Sequence, residues 1–221
     1  MSDTTDTLAR LAAIDSCALS DALDKLDMTG QVTGLRRESG KGRIAGIAVT
    51  VKLGIGDPPP GPPRHLGTAA IEAADAQSVI VIEQRTGVEA GCWGGLLTRG
   101  ALRAKVRAVI ADGPVRDIDE ARELAFPIFA NKLTCYTART RVVEKATNTP
   151  VQIGGVTVNP GDYVVADDSA VIIIAPDRVA DVLATAEAIC AREAAMIDEM
   201  ARGTRMSDVL GGNYEHMLAR D

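Results

Sequence analysis

Glu89–Ala130, EAGCWGGLLTRGALRAKVRAVIADGPVRDIDEARELAFPIFA, is the stretch that decides the fold. It reads as a glycine-rich turn, a helix over Leu96–Lys105, an apolar strand over Val106–Ala111, a turn, a helix over Ile118–Ala125 and a short strand over 127–130. The first strand carries Arg116 and Asp117 toward its carboxyl end, where open α/β sheets place their ligands. An Arg beside an Asp at such a corner can fork onto a carboxylate with one side chain and hold a hard divalent cation with the other. The plainer alternative is a turn in which Asp117 caps the helix starting at Ile118.

Around that pair, Gly94-Gly95 precede a helix and leave its first N–H groups approachable, a natural place for an anion. A tight turn with positive φ explains the same residues without a ligand. Trp93 reads as a core anchor rather than a pocket wall. Gly113 is expected to make the turn that aims Arg116, and Asp112 to take part in that turn. Asp167-Asp168 reads as a hairpin turn, and Glu193 as an ordinary helix-surface acid. His65 and His216 are the only histidines, which argues against a histidine-rich metal site and favours oxygen ligands for any metal.

Outward from this stretch, helices are expected over 4–13, from Ser16 onward, over 66–76 and over 177–201. Strands are expected over 43–53 and 78–82, then near 141–144, 150–153, 156–158, 163–166 and 171–174, punctuated by Gly154-Gly155 and Asn159-Pro160-Gly161. The alternation of strand and helix over 65–130 predicts parallel pairing. Five prolines between 58 and 63 forbid regular structure and predict a stiff exposed loop. No repeat or linker interrupts the 221 residues, which read as one domain over 1–221.

Hydrophobic residues make up 46% of the chain and aromatics 3%, so the core must be built from Val, Ile, Leu and Ala. The net charge of −6, with no basic stripe, argues against nucleic acid as a partner. No apolar run reaches the ~20 residues needed to cross a membrane. Cys17, Cys92, Cys135 and Cys190 fit no zinc spacing. A reduced cytoplasmic protein is the expectation.

Several segments in the right order resemble one known family: SDALDKL at 20–26, RIAGIAVTV at 43–51, WGGLL at 93–97, ADGPVRDIDE at 111–120, FPIFA at 126–130, IGGVTVNPGDYVVADDSAVIIIAP at 153–176 and AREAAMI at 191–197. The family is that of the 4-hydroxy-4-methyl-2-oxoglutarate/4-carboxy-4-hydroxy-2-oxoadipate (HMG/CHA) aldolases and the RraA regulators of ribonuclease E. The resemblance implies an α/β fold of the β/β/α swivelling-domain kind, a layered sandwich with mixed sheets and flanking helices, assembled as homotrimers or homohexamers. It implies a class II pyruvate aldolase using Mg²⁺ or Mn²⁺ to cleave a 4-hydroxy-2-oxo diacid, with oxaloacetate decarboxylation as a variant. The other implied role is a non-catalytic RraA-like regulator that binds a protein partner.

Carried over by the same resemblance, Arg116 binds the pyruvyl oxygens and Asp117 coordinates the cation. Backbone N–H groups around Gly94, Gly95, Leu96 and Leu97 hold the substrate carboxylate, and Glu193 of an adjacent subunit reaches the cation through water. The sequence departs from the aldolase pattern at position 95, where the family's acid is replaced by glycine. Glu89, in the same loop, is a candidate to replace it. The proline loop at 57–63 is unusual and can reshape substrate access.

Overall fold

The computed structural model describes residues 2–62 and 64–211, so His216 lies outside the described residues. Helices α1 (Ser2–Ala13) and α2 (Ser16–Lys25) open the chain, followed by β1 (Gln31–Val32), β2 (Arg36–Ser39) and the long β3 (Ile44–Gly54). Helix and strand then alternate through α3 (Thr68–Ala73), β4 (Ser78–Glu83), α4 (Gly95–Arg103), β5 (Ala108–Val115), α5 (Ile118–Glu123) and β6 (Ile128–Leu133). Five strands follow, β7 (Val143–Thr147), β8 (Val151–Ile153), β9 (Val156–Val158), β10 (Tyr163–Ala166) and β11 (Val171–Ile174), and the chain closes on α6 (Val179–Ala201) and α7 (Met206–Val209).

The main sheet runs in the order β1-β11-β10-β3-β4-β5-β6-β2. Its centre, β3-β4-β5-β6, is parallel, and the outer pairs are antiparallel. β3 is long enough to serve two antiparallel partners, β10 along Ile44–Ile47 and β7 along Val51–Gly54. The sheet is therefore mixed and curled, as expected of the swivelling-domain architecture.

Why the central strands are apolar over most of their length follows from their two covered faces. In β4, Val79 and Val81 point to one side, with Ile110, Phe129 and the β8-β9 hairpin residues Val151, Ile153 and Val158. Ile80 and Ile82 point to the other, with Val109, Trp93, Leu97 and Phe126 beneath α3, α4 and α5. A third cluster packs α1, α2 and α6 onto Ala45, Val165, Ile172 and Ile174 through Leu11, Leu19, Leu23 and Leu183. Hairpin, sheet and helices thus form β/β/α layers. Each fully buried Val, Leu or Ile contributes about 1.5–3 kcal/mol.

Two sequence expectations change at the strand that carries the site. β5 does not turn at Asp112-Gly113; it runs on, buried at every residue, to Val115. After a bulge, Pro114 and Val115 pair with Lys132 and Leu133 of β6. Gly113 is needed for close packing rather than for a turn, since a Cβ there would sit 2.6 Å from the Gln84 Cβ. Asp112 acts as a clamp: its carboxylate accepts from the Asn131 amide at 2.8 Å and from Gly154 N–H at 2.9 Å, fixing the β8-β9 hairpin to the sheet. The helix expected over 66–76 shortens to Thr68–Ala73. β1 and β2 were not anticipated; one is two residues long and the other reads Arg-Arg-Glu-Ser.

Asp167, in the β10-β11 turn, latches the amino-terminal helices to the sheet. Its oxygens accept from Ser16 N–H at 2.8 Å, Ser16 Oγ at 2.6 Å and Ser169 N–H at 2.9 Å. Burial raises the carboxyl pKa, but these donors outweigh it and hold it below the ordinary value. A lowered folded pKa makes the latch fully effective above the unfolded Asp range, ~3.9, and lost as pH falls through the folded value. Asp167→Ala is expected to cost about 1–3 kcal/mol in urea denaturation at pH 7, with the difference from wild type shrinking toward pH 3.

Candidate active site at the carboxyl end of β5

The corner between β5 and α5 is built by close approach. The Cys92–Gly94 loop lies alongside the end of β5: Cys92 N–H donates to Pro114 O at 2.8 Å, and Arg116 N–H donates to Trp93 O at 3.0 Å. Trp93 is buried, and its indole N–H donates to Thr98 Oγ1 at 2.9 Å. It is the core anchor, and it fixes the start of α4 against the strand.

Asp117 takes the N-cap position of α5 in a left-handed conformation, φ 55°, ψ 38°. Its side chain does not cap that helix. Instead Oδ2 accepts from Gly95 N–H at 2.9 Å, at the start of α4. The ordinary capping explanation for Asp117 is thereby set aside. A non-glycine residue with φ > 0 costs about 1–3 kcal/mol and persists where its surroundings fix it, often at functional sites. Arg116 Nε stands 3.3 Å from Asp117 Oδ1, with both side chains more than one-third exposed.

The glycines serve this corner through the space they leave. Gly94 has φ −161°, ordinary extended backbone, and Gly95 opens a helix, so neither needs a special conformation. A Cβ on Gly91 would sit 3.0 Å from Arg116 Cδ, and one on Gly94 would sit 2.8 Å from Asp117 Oδ2. One on Gly95 would sit 1.9 Å from Glu120 Oε2. The carboxylate of Glu120, three residues beyond Asp117 on the same face of α5, therefore fills the room that glycine at 95 leaves. Its other oxygen pairs with Arg99 Nε at 2.5 Å.

The sequence did not single out Glu120. Its signal was the Asp-x-x-Glu spacing, which sets two acids on one helical face. Glu89, the earlier candidate, is engaged by Lys132; hydrogen bonds from Lys132 and Thr134 lower its pKa. The Leu96 and Leu97 N–H groups, in the first turn of α4, have no hydrogen-bond partner among the described residues, whereas that of Gly95 is taken by Asp117. Glu193 does not join the corner within one chain. It lies on α6 facing Asp15 and Asp21, and burial together with those charges pushes its carboxyl pKa up. His65 sits by the proline loop, its Nδ1 2.9 Å from Leu66 O. Among the described residues, no three acidic, histidine or cysteine side chains cluster as a metal site. Two carboxylates that converge on Gly95, one of them more than one-third exposed, still suit a cation that keeps several waters, as Mg²⁺ does.

The protein-family model described as RraA-like, Aldolase/RraA, matches residues 16–173, and the chain belongs to that family. It is 31% identical over 199 residues to Protein DlpA of Legionella pneumophila, covering 90% of this chain and 32% of that protein. The chain thus spans about a third of the length of this relative. It is 27% identical over 183 residues, 82% of each chain, to the Halalkalibacterium halodurans protein named "Putative 4-hydroxy-4-methyl-2-oxoglutarate aldolase". A solved structure of an uncharacterized protein from Pseudomonas syringae pv. tomato superposes with a TM-score of 0.83 at 27% identity, over 94% of this chain and 98% of that one. Streptomyces coelicolor RraAS2, described as an unusual member of the RNase ES inhibitor RraA family, shares the fold with a TM-score of 0.73 at 24% identity, over 90% and 96% of the two chains. The fold is thus shared by a relative named as an aldolase and by a neighbour described as an RNase ES inhibitor family member.

The space argument separates two glycines. Gly113→Ala meets the Gln84 backbone O at 3.1 Å as well as its Cβ, and is expected to cost about 1–3 kcal/mol in chemical denaturation. Gly94→Ala meets only the Arg116 and Asp117 side chains, and is expected to change stability by less than about 1 kcal/mol.

Proposed function

We propose that this protein is a divalent-cation-dependent carbon–carbon lyase that releases pyruvate from a 4-hydroxy-2-oxo diacid and decarboxylates oxaloacetate. The observation that carries the reading is the convergence of Asp117 and Glu120 on Gly95 beside Arg116. Asp117 turns its carboxylate to the Gly95 N–H at the start of α4 instead of capping its own helix. The relatives named as aldolases support the same class.

Asp117 and Glu120 would hold the cation, Mg²⁺ or Mn²⁺, with Glu193 of a neighbouring subunit added through water in a trimer or hexamer. When bound, the cation supplies Lewis-acid polarisation of the 2-oxo group. The free N–H groups of Leu96 and Leu97 orient the substrate carboxylate at the positive end of α4. Arg116 lies beside the 2-oxo oxygen. As the C3–C4 bond breaks, its electron pair moves through C3 to that oxygen, and the guanidinium stabilises the resulting enolate charge. In the aldol cleavage the C4 hydroxyl gives up its proton and becomes a carbonyl; in oxaloacetate, CO₂ leaves instead. Protonation at C3 then gives pyruvate. Arg99 holds Glu120 in place and screens its charge from Asp117.

The test is pyruvate release from oxaloacetate with Mg²⁺, read through lactate dehydrogenase. Wild type is expected to exceed the rate with Mg²⁺ alone, and chelation by EDTA to abolish the excess. Arg116→Ala and Asp117→Ala are expected to lower kcat at least about 100-fold. Glu120→Ala should weaken Mg²⁺ activation about ten- to hundredfold. Gly95→Asp alone crowds Glu120, whereas Gly95→Asp combined with Glu120→Ala should restore activation, because either position delivers a carboxylate to the same space. No excess over free Mg²⁺ in the wild type would overturn the lyase reading.

A further inference from the structure

A cavity of about 690 Å³ opens between the proline loop and the segment 137–146. That is the size of pockets that take small organic molecules, about 300–1,000 Å³. Its walls include apolar surface from Pro59, Leu66 and Val142. Its charge is one-sided. Arg64, Arg139 and Lys145 line it, and the one carboxylate in its wall, Glu144, is already engaged by Gly67 N–H at 2.6 Å and by the Thr147 hydroxyl. Lys145 Nζ donates to Asp57 O at 2.7 Å. The guanidinium groups of Arg64 and Arg139 make no ion pair or hydrogen bond with any described residue. In a chain of net charge −6, this is a local inversion of sign inside a concave surface, which concentrates anions.

Both walls rest on the loop that builds the candidate active site. Leu66 precedes Gly67, where a Cβ would stand 3.3 Å from Leu97 Cδ1 and 3.6 Å from Trp93 Cζ3. On the other side, Tyr136 O accepts from Gly91 N–H at 2.9 Å, and Gly91 abuts the Arg116 side chain. The chain segments that line the cavity are thus continuous with those that pack on the start of α4 and on the Arg116 side chain.

We propose that this cavity receives the half of the substrate that is not released as pyruvate, and that this half is an apolar carbon chain or ring of several atoms ending in a carboxylate. The word "half" rests on the pyruvate-lyase reading; the anion site rests on the cavity alone. Arg64 and Arg139 grip the terminal carboxylate, and the proline and aliphatic surface takes the body. Proline fixes φ along this wall, which lowers the ordering cost when the ligand enters.

Calorimetric titration of the full chain with adipate, and with adipamide as its neutral analogue, tests the anion site without any turnover. Wild type is expected to bind adipate in preference to adipamide. The Arg64→Gln/Arg139→Gln variant should lose about ten- to hundredfold in adipate affinity, and Arg64→Lys/Arg139→Lys should keep most of it. Unchanged melting midpoints exclude misfolding. Equal binding of the two probes, or adipate affinity indifferent to the Gln pair, overturns the proposal even where oxaloacetate is turned over. Arginine-dependent adipate binding in a protein that releases no pyruvate keeps the anion site and removes its link to pyruvate. With turnover, the Gln pair is expected to lower kcat/KM for a 4-hydroxy-2-oxo acid bearing a carboxylate-ended C4 chain more than for oxaloacetate.

Discussion

The hydrogen bond from Gly95 N–H to Asp117 Oδ2 is the constraint on which the site depends. It joins the first turn of α4 to the corner between β5 and α5, two places separated by a strand and a helix in sequence. Left to itself, Asp117 would relax toward an ordinary N-cap conformation and turn its carboxylate onto α5. Held as it is, the carboxylate faces the α4 terminus, and Arg116 is carried round to the same side. The backbone bonds Cys92–Pro114 and Arg116–Trp93 flank this contact and leave the corner little freedom to reorganise.

That corner needs a stiff base, and β5 provides it. All eight of its residues are buried, between β4 and β6, with the hairpin on one face and α4 and α5 on the other. The Asp112 clamp ties the hairpin layer to the strand one turn of pleat before the site. Packing of this density converts small side-chain displacements into strain, so the positions of Arg116 and Asp117 are set by the layers beneath them. On the solvent side the glycines at 91, 94 and 95 do the opposite: they keep side-chain volume out of the way so that three charged groups fit against one loop.

Most of the layered fold could be read from periodicity, because β3, β4 and β5 are apolar at nearly all their buried positions, Thr50, Ser78 and Asp112 being the polar ones, and the intervening helices repeat at their own period. The parallel centre followed from the βα alternation. β1 and β2 escaped because two or four residues carry no period, and β2 is charged where it pairs at the sheet edge. The end of β5 was misread because Gly-Pro normally signals a turn, whereas Gly113 and Pro114 here sit beside a bulge in a buried strand. At the site, Arg116 and Asp117 stood out as adjacent charges after a strand. Glu120 did not, because its importance arises from the space above Gly95, and an absent side chain has no pattern of its own in one sequence. The glycine at 95 and the carboxylate at 120 share one space only in three dimensions.

The distribution of charge gives the last step. An acidic chain is a poor general attractor for anionic substrates, since its far field repels them. What matters within a Debye length of about 8 Å is the local balance. Around the corner of β5, each carboxylate that could hold a cation has a guanidinium in contact, Arg116 on Asp117 and Arg99 on Glu120. Arg64 and Arg139 have no acidic partner among the described residues. The side-chain charges thus grade from paired acids at the corner to an excess of arginine and lysine in the cavity wall. A ligand with an anionic group at each end, and a carbon body between, matches that gradient better than a small monoanion does, and the overall charge of −6 then disfavours polyanions too large to enter the cavity.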